Sequence, residues 1–190
     1  MALQHFGVDI TVEEFIDKFL AKGRFPAADA KGEKTGCNPW KAFPGNPYSE
    51  YGYGCYAPVI VNAVNKVIDG KPFVVQALYN KPIEELCGEY IDKGIPVIFW
   101  ATIDMQPART GASWTDESTG ERIDWVAPMH CLLLIGYDND FYYFNDPWRQ
   151  KACAYQKSAV KEAYEGMFAQ TVVIRPTGPA PYKLKEAPSC

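Results

Sequence analysis

The sequence predicts an α+β domain in which helices come first and a largely antiparallel sheet follows. Apolar residues at helical spacing crowd the N-terminal half. Two near-continuous apolar runs, Ile95 to Thr102 and Met129 to Ile135, have the character of strands covered on both faces. Later segments pair across short turns instead of alternating as strand, helix and strand. At 190 residues, with 47% hydrophobic, 14% aromatic and 22% charged residues, the chain is sized for one globular domain. Its aromatics suit a cleft lining and a core equally. A formal net charge of -4 without a long Lys/Arg block leaves no electrostatic footprint for nucleic acid or an anionic membrane. No run approaches the ~20 apolar residues that span a bilayer.

Met1 to Phe6 runs into Gly7 as the last turns of a helix run into a glycine cap, so the sequence reads as starting inside an element. Thr11-Val12-Glu13-Glu14 is a capping box, and Phe15, Phe19 and Leu20 stripe the helix it opens. Gly23 to Gly54 is a long irregular stretch rich in Gly, Pro and aromatics, a length often tied to function. Val59, Ile60, Ala63, Val64, Val67 and Ile68 predict a half-buried helix over 55–69, with Pro58 tolerated in its first turn. A brief strand at Phe73-Val74-Val75 precedes a helix that Pro82 opens and Gly94 stops, with Cys87 on its apolar face.

Trp114 and Trp125 flank Ser118-Thr119-Gly120 as a hairpin with a polar tip. A tighter hairpin joins Leu132–Tyr137 to Phe141–Phe144 through Asp138-Asn139-Asp140. Ser158 to Met167 reads as a helix and Gln170 to Ile174 as a last strand. The domain is therefore expected over 1–175, with an unstructured Pro-rich tail over 176–190.

Of two histidines, His130 stands alone among Leu, Ile and Cys in a strand. A satisfied core histidine is one reading and a catalytic base the other. A three-residue turn at 138–140 would pair Tyr137 with Phe141 and Leu132 with Asp146. Asp146 then becomes the diagonal neighbour of His130, roughly 7–8 Å away between backbones. A carboxylate there fixes the tautomer and stabilises the imidazolium. A two-residue turn would put Asp146 on the other face.

The nucleophile of such a triad is a thiolate, favoured at a helix N-terminus. The cysteines at 37, 55, 87, 131, 153 and 190 form neither CxxC pairs nor a dense disulfide framework, which leaves the redox compartment open. Cys55, in Gly54-Cys55-Tyr56-Ala57-Pro58, is the alternative nucleophile at a helix start, or a small core residue. Cys131 points away from the face of His130.

Tyr53-Gly54-Cys55-Tyr56-Ala57-Pro58-Val59-Ile60, Gly94 to Thr102, and above all His130-Cys131-Leu132-Leu133-Leu134-Ile135-Gly136-Tyr137-Asp138 with Asn145-Asp146-Pro147 resemble the C39-like group of papain-like cysteine peptidases, relatives of bacteriocin-processing peptidases. The likeness runs from the first helix to about Arg175 and implies a papain-like fold. It implies a bacterial thiol hydrolase acting on a peptide or protein substrate, with His130 as base and Asp146 as orienting acid, without cofactor or metal. It also implies a nucleophilic cysteine opening the first helix, roughly two turns ahead of Met1, so that the chain as written is expected to be inactive. A peptide-binding member of the same fold without catalysis is the alternative. No signal peptide follows Met1; a secreted or surface location would need one upstream. Oligomeric state is left open.

Overall fold

The computed structural model of the protein describes residues 1–149 and 151–178. Helix α1 (Ala2–His5) ends on Gly7, whose φ of +74° suits a residue without Cβ. The Gly7 N–H donates to the Gln4 carbonyl and the Val8 N–H to that of Leu3, which closes the helix as a Schellman motif. In α2 (Val12–Glu14) the Thr11 hydroxyl accepts from the Glu14 N–H at 3.0 Å, but the Glu14 carboxylate turns to Lys18 and leaves the box half made. The helix then widens into a π-turn over Phe15–Phe19, which carries Leu20 into a cluster with Cys55, Val59 and Ala63.

The irregular stretch that follows is stitched by short strands β1 (Lys22–Gly23), β2 (Ala27–Ala28), β3 (Lys34–Gly36) and β4 (Phe43–Pro44). Next come α3 (Ala57–Val67), β5 (Phe73–Tyr79), α4 (Ile83–Glu89) and β6 (Val97–Thr102). The hairpin β7 (Arg109–Asp116) and β8 (Arg122–Ala127) leads to β9 (Met129–Tyr137), β10 (Phe141–Asn145), β11 (Cys153–Gln156), α5 (Lys157–Gly166) and β12 (Gln170–Pro176). The last strand runs past the expected Ile174, and Pro176 pairs with Phe73. Pro179–Cys190, most of the expected tail, lie outside the described residues. No described helix is long and apolar enough to cross a membrane.

The main sheet is antiparallel throughout, in the order β11-β10-β9-β6-β12-β5. Its two middle strands are the two apolar runs of the sequence, as strands buried on both faces require. Val97, Phe99 and Ala101 join Leu132, Leu134 and Phe144 on the face that α4 and α5 cover. On the opposite face Leu133 and Ile174 meet Ala2 and Leu3 of α1, its C-cap Phe6, and Val64 and Val67 of α3. Helices packed on a wholly antiparallel sheet make the fold α+β, the class the sequence predicts, although α4 and α5 fall between strands along the chain instead of ahead of them.

A smaller sheet, β2-β3-β7-β8, carries the Trp114/Trp125 hairpin. It is fastened by Asp116, which is 1% exposed. Burial opposes ionisation there. The Ser118 N–H, the Lys41 ammonium and the Ser118 and Thr119 hydroxyls outweigh it and hold the carboxyl well below the usual carboxylate range.

Because the folded carboxyl is depressed, its contribution to stability is complete above the unfolded value of about 3.9 and shrinks as acid protonates the unfolded chain first. The stability gap between the wild type and Asp116→Asn, from urea melts across pH, is therefore expected to narrow steadily from about pH 5 downward. A gap that stays constant over that range would contradict this assignment.

Candidate active site

His130 and Asp146 come together through strand parity. The Asp138 N–H donates to the Phe141 carbonyl, so the turn has Asn139 and Asp140 at its centre and is the two-residue kind. The ladder accordingly starts with Tyr142 opposite Tyr137 and Tyr143 opposite Gly136, one step off the register expected from the sequence. Continued without a break, it would set Asp146 opposite Leu133, with its carboxylate on the wrong face. A β-bulge after Tyr143 skips Ile135 and resumes with Phe144 opposite Leu134 and Asn145 opposite Leu133. Asp146 then follows on the face of Leu132 and His130. The expected neighbourhood is reached by a different route, a shorter turn corrected by a bulge.

The His130 Nε2 lies 2.8 Å from Asp146 Oδ1. Both side chains are buried. The same carboxylate accepts from the Trp148 backbone N–H at 2.8 Å and, on Oδ2, from the Tyr155 hydroxyl at 2.9 Å. Burial would raise its pKa, but the Trp148 N–H, His130 and Tyr155 outweigh it and lower it below the ordinary carboxylate value. An ionised carboxylate on Nε2 keeps the proton there in neutral imidazole and makes Nδ1 the basic nitrogen. The Trp148 indole lies against the imidazole, with ring centroids 5.2 Å apart at 48°, and the residue is 68% exposed. Chemically the arrangement is an imidazole oriented by a buried, ionised carboxylate.

Tyr155 and Trp148 were not among the residues picked out in the sequence. Tyr155 sits on β11, which reads as loop because four residues after a Lys-Ala pair carry no clear alternation. A signal for Trp148 did exist: it stands two residues beyond Asp146, where an Asx-type turn brings its N–H to the carboxylate.

Cys55 takes a different place from the helix start expected of it. The helix begins at Ala57 with Tyr56 as its N-cap, and the Ala57 N–H is taken by the Gln170 side chain. The Cys55 carbonyl accepts from the Trp100 indole, on the sheet face opposite His130, and its thiol packs with Leu20, Val59 and Ala63. Burial raises the pKa of this thiol, with Cys131 and Cys37 nearby adding to the effect. Burial also pushes Cys131 up to about 12 and Cys87 up to about 12. Cys37 is raised to about 11 by burial together with Glu117 and Asp116. Cys153, expected in a loop, lies in β11 opposite Phe144. Nor does α1 face the pair, since it packs on Leu133 and Ile174 across the sheet.

A His–Asp pair near one end of a central strand, in an α+β fold with an antiparallel sheet, is the framework of a papain-like protein. The profile of the Peptidase_C39 like family matches residues 1–172, and the chain belongs to that family. It is 24% identical over 175 residues to the uncharacterized protein YvpB of Bacillus subtilis (strain 168), a match covering 92% of this chain and 66% of YvpB. The chain thus spans just under two thirds of that relative's length. The crystal structure of a putative C39-like peptidase from Bacillus anthracis superposes with a TM-score of 0.75 at 23% identity, over 92% of this chain and 84% of that one.

Removing the Asp146 carboxylate leaves buried donors without an acceptor, each a cost of about 1–3 kcal/mol. Asp146→Ala is expected to lower the unfolding free energy by at least that much in urea titration at neutral pH. A variant as stable as the wild type would show that the three donors find water instead.

Proposed function

We propose that this chain is the base-bearing domain of a cysteine peptidase, with His130 as general base and Asp146 as the acid that orients it. The 2.8 Å contact between His130 Nε2 and Asp146 Oδ1 carries the reading. Nδ1 then accepts the proton of a thiol, the thiolate attacks a peptide carbonyl, and the imidazolium returns the proton to the leaving amine. Cys37, Cys55, Cys87 and Cys131 are all raised in pKa by burial and are poor nucleophiles in this role. The thiol of this reading is therefore a group other than these four. The family supports a peptide as substrate.

A second reading, a peptide-binding protein without catalysis, is favoured by an aromatic cluster in which Phe25, Trp114 and Trp125 each lie 5.0–5.3 Å from Tyr53, with Phe25 exposed.

Iodoacetamide labelling near neutral pH separates the readings. The chain alone is expected to label slowly at every described cysteine. With a cysteine-bearing helical segment fused ahead of Met1, it should gain a fast-labelling thiol and peptide hydrolysis. His130→Ala should then reduce hydrolysis by about 10²–10⁴-fold, the usual worth of a general base. Fast labelling of Cys55 that vanishes in His130→Ala would overturn the assignment of the nucleophile. Peptide binding that quenches tryptophan fluorescence and ignores His130→Ala, with no hydrolysis by the fused chain, would favour the second reading.

A further inference from the structure

The turn that follows β6 contains two successive non-glycine residues in the left-handed region, Asp104 at φ 55° and Met105 at φ 55°. Aspartate tolerates that backbone better than most side chains but methionine does not, so tertiary contacts hold the turn. Met105 is buried in the core beneath α5. The Ile103 N–H donates to the Pro128 carbonyl at 2.9 Å, and the Thr102 hydroxyl donates to the Gln106 carbonyl. Asp104 is thereby fixed as a post on the rim of the His130 end of the sheet, since Ala101 and Thr102 pair with His130 and Met129.

Across the rim stands the turn Asp146-Pro147-Trp148-Arg149. The Arg149 N–H donates to the Asp146 carbonyl at 3.2 Å, and its Nε and Nη2 both donate to Asp104 Oδ1, at 2.9 and 2.5 Å. Pro147, Trp148 and Arg149 are exposed. An ion pair this exposed adds little to global stability and does not offset a left-handed backbone by itself. Its effect is local: it ties the outer end of the turn that lays Trp148 on the imidazole.

We propose that Asp104 and Arg149 form a clasp that holds Trp148 over the His130–Asp146 hydrogen bond, and that both are positioning residues for the imidazole. With the clasp shut, the indole keeps water from the Nε2–H···Oδ1 bond, which a low local dielectric strengthens. The charged and titratable groups that surround the ring are Asp146 beneath it, Tyr155 on β11, and Asp104 and Arg149 at the rim. The catalytic consequence rests on His130 being a base; the clasp itself does not.

Exchange of the His130 Nε2 proton with water, followed by nitrogen-15 NMR of the imidazoles, tests this directly, with His5, bonded to the Gly94 carbonyl, as internal reference. Arg149→Gln and Asp104→Asn should each speed that exchange by about tenfold, the signature of local opening, while the His5 signal stays unchanged. The exchanged pair Asp104→Arg with Arg149→Asp should return it towards the wild-type rate. The rim charges acting only through their field would move the two single variants in opposite directions, and that result, or unchanged exchange in both, overturns the clasp. In the fused, cysteine-bearing chain the same variants should slow thiol labelling severalfold. Faster exchange with unaltered labelling would keep the clasp and sink His130 as the base.

Discussion

A buried carboxylate stays ionised only where donors replace the water it loses, and Asp146 meets that condition with three of them. Each donor comes from a different part of the chain: His130 from β9, Trp148 from the turn beyond β10, and Tyr155 from β11. Three segments are thereby drawn to one point. Because the donors outweigh burial, the negative charge persists beside the imidazole and selects which of its nitrogens is basic.

The sheet separates two tasks by face. Leu133, Ile174 and the residues around them anchor the N-terminal helices, whereas Leu132, Leu134 and Phe144 pack beneath α4 and α5 on the face that ends in His130 and Asp146. A slip of one residue in β9 or β10 would exchange these faces, turning apolar side chains outward and the carboxylate away from the ring. Burial on both sides therefore enforces the register that the site needs. The bulge at Ile135 is the adjustment that lets a two-residue turn coexist with that register.

Much of the framework was legible in the residues. Continuous apolar runs marked the two central strands because only strands buried on both faces tolerate them, and Gly7, at positive φ, ended its helix where expected, whereas α4 stops at Glu89 and Gly94 caps the 3-10 turn that follows. The small sheet was harder to read. Its strands β2 and β3 span two and three residues with no alternation, and they exist because Asp116 and the Trp114 indole, which donates to the Cys37 carbonyl, hold the loop against the hairpin. Such contacts join residues some 75 positions apart, beyond the reach of any local pattern.

By itself the sequence determined the α+β class, the central strands, and the one histidine and one aspartate able to meet across a hairpin, because hydrophobic periodicity and strand parity are local properties. Tertiary structure alone decided how that meeting happens. Turn type and bulge compensate one another in a way that residue types do not encode singly. Likewise, the cover of Trp148, the hydroxyl of Tyr155 and the tie between Asp104 and Arg149 depend on three separate turns and strands converging at the end of one sheet. The Cys55 environment was settled in the same way. A cysteine read at the start of a helix suggests an activated thiol, but the helix begins two residues later and packing against Leu20, Val59 and Ala63 removes the solvent that a thiolate requires.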